Sequence, residues 1–363
     1  MFDVMASGPF QLAGRTHELM LGVNWSKSRI ADESYYDLAT VTGTGPAVDL
    51  RSWDGNYPRP TFDQFGGAGN WDDKQRAFYS AARFNLTERW QVLAGGRLSN
   101  WQRNGVSYGR DRSTSHNNEL TPYLGTTYEV LPGVALYASW TETFAPQHEL
   151  DSRGDSLDPK QSVNYEIGAK VENQEKTLRS SLALFQSLQD NVAVATGDKV
   201  PGTTKDAYRA DDGIETQGYE LEVAGAPLTG LQLSAAYTHL DIKDADDQDT
   251  MTYLPGQQFK GALSWQVSGL EALKLGASVT WQAEIYRNQG VVAEGMNAGQ
   301  DIIVKQQAYA LVNLMASYDI NSQLSTAINI NNVTDEKYLN SLYFAQSYYG
   351  APRNLMASVN WRY

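Results

Sequence analysis

From Leu355 to Tyr363 apolar side chains (Leu355, Ala357, Val359, Trp361, Tyr363) alternate with mostly small or polar ones (Met356, Ser358, Asn360, Arg362), the period of a strand whose faces meet different surroundings. The same rhythm recurs further up the chain. Leu273, Leu275, Ala277, Val279 and Trp281 interleave with Lys274, Gly276, Ser278, Thr280 and Gln282. Trp90, Val92, Ala94, Gly96 and Leu98 interleave with Gln91, Leu93, Gly95, Arg97 and Ser99. Tyr165, Ile167, Ala169 and Val171 interleave with Asn164, Glu166, Gly168 and Lys170, and Leu324, Thr326, Ile328 and Ile330 with Ser325, Ala327, Asn329 and Asn331. Each stretch predicts a strand with one oily and one wet face.

Two kinds of connection separate such stretches, and they take turns. Leu12 to Arg15, Leu131 to Gly133, Pro227 to Gly230 and Ile320 to Gln323 carry the Gly, Pro and Asn of tight reversals. Long polar connections lie between: Ile30 to Asp73, Asn104 to Asn117, Phe144 to Ser162, Ala195 to Tyr208, Lys243 to Gln257, Asn288 to Lys305 and Glu336 to Gly350. A soluble antiparallel sheet with one buried face alternates equally well, but has no reason to sort its connections by length. An up-and-down membrane barrel has one, and it places aromatic residues such as Trp361 and Tyr363 at the lipid boundary. The predicted fold class is therefore all-β, a transmembrane antiparallel up-and-down β-barrel, present in part. Its strands fall at 1–11, 16–29, 74–86, 90–103, 117–129, 134–143, 162–174, 177–194, 208–226, 230–242, 258–269, 273–287, 306–319, 324–334 and 352–363. These are fifteen, and because an odd number cannot close antiparallel, further strands are expected upstream.

Composition narrows the alternatives. The 363 residues would suffice for two soluble domains or one large closed sheet. No run approaches the roughly 18 uncharged apolar residues of a spanning helix, whereas 21 Tyr, 9 Trp and 31 Gly with only 20% charged residues suit a barrel with a watery lumen. A net charge of −13 leaves no footprint for nucleic acid. There is no cysteine, hence no disulfide or thiolate metal site. The amino terminus, MFDVMASGPFQLAGR, has none of the parts of a signal peptide, so this chain is expected to be the later part of a longer protein. His17, His116, His148 and His239 show no ligand spacing, and Asp244, Asp246 and Asp249 lack the Gly and distal Glu of a calcium loop. Gly66, Gly67 and Gly69 are not followed by the Lys of a phosphate loop, and no Gly-x-Ser-x-Gly occurs. No metal site, no catalytic residue and no enzymatic activity are expected.

Within Leu136 to Val171, the residues Tyr137, Ala138, Ser139, Phe144, Pro146, Gln147, Leu157, Pro159, Asn164, Tyr165, Glu166, Gly168 and Lys170 resemble the Tyr-Ala-Ser, Phe-x-Pro-Gln, Leu-x-Pro and Asn-Tyr-Glu-x-Gly-x-Lys series of TonB-dependent ferric-siderophore receptors. Ile330 to Tyr338 and Tyr349 to Asn354 are similar to that family's last two strand junctions. The resemblance runs along the whole chain, residues 1–363, read as one barrel domain. It implies a barrel of about 22 strands closed by a plug, of which the chain would hold the carboxy-terminal fifteen or so. It further implies a multi-pass protein of the bacterial outer membrane, monomeric among its lipids, that binds a ferric siderophore of hydroxamate, coprogen or pyoverdine type. Uptake would be coupled to the inner-membrane TonB complex through amino-terminal parts not in this sequence. No cofactor is expected, because the iron arrives already chelated. The alternative is a passive pore or structural barrel without a coupled ligand.

A bulky polar chelate calls for aromatic walls and a few charged groups on outer connections. Candidates are Trp53, Tyr57 and Trp71, then Tyr108 and Arg110, then Tyr253, Tyr286 and Arg287, then Tyr343, Tyr348 and Tyr349. Asn164, Glu166 and Lys170 share the wet face; Glu166 and Lys170 could pair there, and a structural role is the better reading for them. Gly350, Pro352 and Arg353 are read as shaping the way into the last strand.

Overall fold

The computed structural model describes the chain apart from residues 43, 46–51, 53–55, 57, 58, 204, 212, 344–346 and 363. Its first strands are β1 (Phe2–Leu12), β2 (Arg15–Tyr36), β3 (Gln64–Asn85), β4 (Trp90–Ser107), β5 (Arg110–Asp111), β6 (Thr114–Leu131) and β7 (Val134–Ala145). Then come β8 (Lys160–Glu172), β9 (Leu178–Asp190), β10 (Val192–Lys199), β11 (Asp206–Asp211), β12 (Glu215–Leu228) and β13 (Leu231–Lys243). The last are β14 (Gln257–Gln266), β15 (Leu273–Gln282), β16 (Ile285–Val291), β17 (Asp301–Gln306), β18 (Tyr309–Asp319), β19 (Leu324–Asn331) and β20 (Asn354–Trp361). A single helical turn, α1 (Leu38–Val41), follows β2.

One antiparallel sheet runs β1-β2-β3-β4-β6-β7-β8-β9-β12-β13-β14-β15-β18-β19-β20, with β5 added to β4 at one end. The staves number fifteen, as the alternation predicts, and each pairs with its neighbour in sequence. The hairpins β10-β11 and β16-β17 stand apart from the sheet. Both lie within long connections, so the reading that merged them into strands 177–194, 208–226 and 273–287 is corrected.

Register carries the apolar face across the sheet. Residues directly opposite one another share a face, and Val4, Val23, Phe78, Leu98 and Leu120 form one such row over five strands. Leu233, Leu263, Ala277, Leu314, Ile330 and Leu355 form another over six. Val23 is 49% exposed, Phe78 49% and Leu355 67%, a continuous apolar surface that water would not tolerate but lipid does. Among the described residues the buried apolar side chains are only Ala77, Ala81, Val200, Ala207, Ile285 and Leu342. The described residues form no dry centre between stacked layers, which removes the soluble sandwich.

Short turns close one end of the staves. Between β1 and β2, Ala13 and Gly14 both take positive φ (51° and 73°), the two-residue turn whose twist matches paired strands. The other end is where the chain departs from its sequence reading. β2 and β3 pair from Glu18 opposite Arg83 out to Tyr36 opposite Gln64, so both ends of the predicted connection Ile30 to Asp73, residues 30–36 and 64–73, are ladder. β4 and β6 likewise extend toward each other, leaving a tight hairpin in place of the connection Asn104 to Asn117.

Candidate ligand-binding mouth

Three clusters form at the long-connection end. The first is built on the extended ladder. Asp73 and Arg103 stand opposite each other on β3 and β4, and their side chains make a double hydrogen bond, Nε to Oδ1 at 2.6 Å and Nη2 to Oδ2 at 2.7 Å. Two residues along each strand brings the next side chain onto the same face. Trp71 and Trp101 therefore flank the guanidinium, 5.5 and 5.3 Å from it to their ring centroids. His116 stacks on Trp101 at 6.0 Å, and its Nε2 contacts the Gln147 carbonyl at 3.0 Å. The Gln147 amide in turn donates to the Asp158 carbonyl and, at 2.9 Å, to the Asn191 carbonyl. The indole N–H of Trp71 is buried without a partner, an unspent donor at the edge of this stack.

The second cluster is a charged cavity of about 470 Å³ between connections. Arg110 and Arg112, from the hairpin region, meet Lys199 and Lys205 of the β10-β11 hairpin, with His148, Glu149 and Asp206 among them. Lys199 hydrogen-bonds Asp206 and, with Arg110 adding its charge, holds that carboxyl below its ordinary range. Burial pushes His148 below the usual imidazole value; Arg112 and Arg103 act in the same direction and Glu149 opposes them. At neutral pH the ring is therefore uncharged.

The third cluster joins three candidates from separate connections. The Arg287 guanidinium lies 5.5 Å from the Tyr253 ring centroid and 5.8 Å from that of Tyr343. The two rings meet edge to face at 5.2 Å, and Arg287 donates to the Leu342 carbonyl at 3.2 Å. Leu342 is fully buried. Arg287 is thereby held with its charge still on offer.

The remaining candidates are more scattered. Tyr286 sits 5.7 Å from Lys305, and Tyr349 lies beneath Lys337 at 4.4 Å. Tyr348 is exposed and accepts from the Asn340 amide through its carbonyl. Tyr108 turns back on the ladder, its hydroxyl donating to Asp32 at 2.9 Å and its ring covering Gly67. Trp53 and Tyr57 lie outside the described residues. Sequence reading missed Trp101, Arg103, His116, Arg112, Lys199 and Lys205. The alternation Trp101-x-Arg103 beside Trp71-x-Asp73 held a signal, but only the strand register turns two such pairs into one stack.

The motif residues have internal partners. Tyr137 lies over Gly168, where a Cβ would collide with its ring. Its hydroxyl donates to Glu166 at 2.6 Å, and Lys170 stands 4.8 Å over the ring. Glu166 and Lys170 thus do not pair with each other; Tyr137 stands between them. Asn332, at a left-handed φ of 50°, donates to the carbonyls of Glu336 and Ala351 and so ties the end of β19 to the approach to β20. Arg353 joins Asp335 at 3.8 Å, and Gly350 has no room for a side chain under Tyr338.

This arrangement has known counterparts. A family profile described as TonB dependent receptor-like, beta-barrel, matches residues 2–333. The chain belongs to that family. The ferric-pyoverdine BN7/BN8 receptor of Pseudomonas putida is 35% identical over 377 residues, covering 99% of this chain and 43% of the relative. The ferripyoverdine receptor of Pseudomonas aeruginosa is 33% identical, with 99% and 44% covered. The crystal structure of the Pseudomonas aeruginosa outer-membrane ferripyoverdine receptor bound to ferripyoverdine superposes with a TM-score of 0.86 at 31% identity, over 99% of this chain and 47% of that one. The chain therefore spans less than half the length of these relatives. Family and exposed apolar rows together place it in the bacterial outer membrane.

Proposed function

We propose that residues 1–363 form the barrel part of an outer-membrane receptor that binds a ferric siderophore at its outer connections and takes it up by energy-coupled transport, without catalysis. The observation that carries this reading is Arg287 held between Tyr253 and Tyr343. Aromatic faces and a fixed cation are what an anionic, ring-bearing chelate needs from a wall. The charged cavity around Arg110 and the stack beginning at Trp71 supply more of the same chemistry. The names of the relatives favour a pyoverdine-type chelate over other classes.

In this reading the iron enters as cargo, already bound by its chelator, so the barrel needs no cofactor of its own. Among the described residues, no three His, Asp or Glu side chains gather as a metal site. Coupling to the inner-membrane TonB complex would run through parts that the longer relatives have outside the matched region, and the barrel would work as a monomer. Growth in iron-limited medium on single purified siderophores, comparing the intact locus with its deletion, tests the proposal. Dependence on the locus for one chelate is expected; independence for every chelate overturns it. A passive pore would instead give steady liposome conductance with no chelate requirement.

A further inference from the structure

Above its apolar rows, the lipid side of the sheet turns basic at one place. Register sets Trp25 opposite Arg76, Lys27 opposite Lys74 and Arg29 opposite Asp72. These positions continue the parity of Val23 and Phe78 and so face outward, away from the lumen. Lys27, Arg29, Lys74 and Arg76 are all exposed. Asp72 reaches Lys27 at 3.5 Å; Arg29, Lys74 and Arg76 form no ion pair among the described residues. Their neighbours on β4, Gln102 and Asn100, are neutral. Like charges directly opposite each other across a ladder repel, and here Lys27 faces Lys74 in a chain of net charge −13. On β7, β12 and β13 the outward positions past the apolar rows carry the acids Glu142, Glu215 and Asp241, and the cation Lys243 stands there opposite Glu215 and pairs with Asp247.

Just below this block the outward surface is hollowed. Phe2, Val23, Trp25, Phe78 and Leu98 line a groove of about 420 Å³ whose rim includes Arg76. An apolar groove capped by four cations of which three have no ion pair among the described residues, at the depth where staves leave the lipid, matches one kind of molecule.

We propose that this face of β2 and β3 binds a phosphorylated lipid of the outer leaflet, with its phosphates on Lys27, Arg29, Lys74 and Arg76 and an acyl chain in the groove. Phosphate relieves the Lys27–Lys74 repulsion and suits the forked donors of Arg29 and Arg76. The acyl chain is what distinguishes this occupant from a free anion.

The test uses the full-length protein extracted from its own outer membrane in a mild neutral detergent, alongside K27Q/R29Q/K74Q/R76Q and, as a control, K243Q, whose cation already pairs with Asp247. Retained lipid is counted by native mass spectrometry and by phosphorus per barrel. The parent and K243Q are expected to keep phosphorylated lipid, and the fourfold variant to lose about tenfold or more. A wash with inorganic phosphate should leave the adduct in place. Equal retention in parent and fourfold variant overturns the proposal, as does equal retention of phosphate-free lipid. Capture of inorganic phosphate without acyl chains overturns it too. Should the fourfold variant fail to fold, as judged by heat-modifiable migration, K74Q/R76Q decides in the same assay, with a severalfold loss expected.

Discussion

The two ends of the chain solve the problem of building a mouth differently. At the front, β2 and β3 run 22 residues each and β4 runs 18, roughly twice the 9 to 11 that cross a bilayer. The surplus ladder itself carries Trp71, Asp73, Trp101 and Arg103 beyond the membrane. At the back, β18, β19 and β20 run 11, 8 and 8 residues, and side-chain hydrogen bonds from Asn332 fold the connection onto itself. Residues on a ladder inherit the precision of backbone hydrogen bonds, whereas those at the back depend on a few side chains. The front is built to stay still, and the back can answer a ligand.

The largest expected effect tests the back. Gly350→Val drives a side chain into the Tyr338 ring, which is stacked on Tyr309 at 4.7 Å, and should cost about 3 kcal/mol, read as a lowered urea midpoint for the unfolding of the barrel in detergent. An unchanged midpoint would show that the Tyr338 ring is not fixed. Arg103→Ala tests the front by leaving Asp73 beside two indoles without its donor pair. About 2 kcal/mol of local stability should be lost at the outer ends of β3 and β4, seen as faster amide hydrogen exchange there, with the β18 to β20 staves unaffected. Equal acceleration in both regions would erase the distinction. Arg287→Ala should weaken chelate binding about tenfold by isothermal titration while leaving exchange in the front ladder unchanged.

The smallest effect is one of pH. His148 is held neutral by burial beside Arg112 and Arg103. Its unfolded value is near 6.5, so below that pH an opened loop takes up a proton that the closed loop refuses. The closed state is thus favoured above about pH 6.5 and loses stability as pH falls through that value. Protection factors in residues 146–159, taken relative to the intrinsic exchange rate at each pH, should fall between about pH 7 and 5, and His148→Gln should flatten the profile.

Much of the barrel could be read from the sequence because lipid wets only one face of each stave. Where Leu273 to Trp281 crosses the membrane, the alternation is plain. Beyond the boundary both faces meet water, so Ile30 to Tyr36 and Gln64 to Asp73 look like loop although they pair along their length with one irregularity between Ser34 and Tyr35. Trp71 was accordingly expected on a connection and is found on a strand. Site residues are legible by type, and Tyr253, Arg287 and Tyr343 do meet; their convergence comes from three separate connections of the chain, which no local pattern encodes.

Gln147 has a mechanical consequence. One buried amide side chain holds the Asp158 and Asn191 carbonyls, while the main-chain carbonyl of Gln147 holds His116. The segment after β7 therefore has no independent hinge. Any swing that lifts it must also unfasten the root of the β10-β11 hairpin and the imidazole resting on Trp101, so these outer segments open and shut as a single leaf.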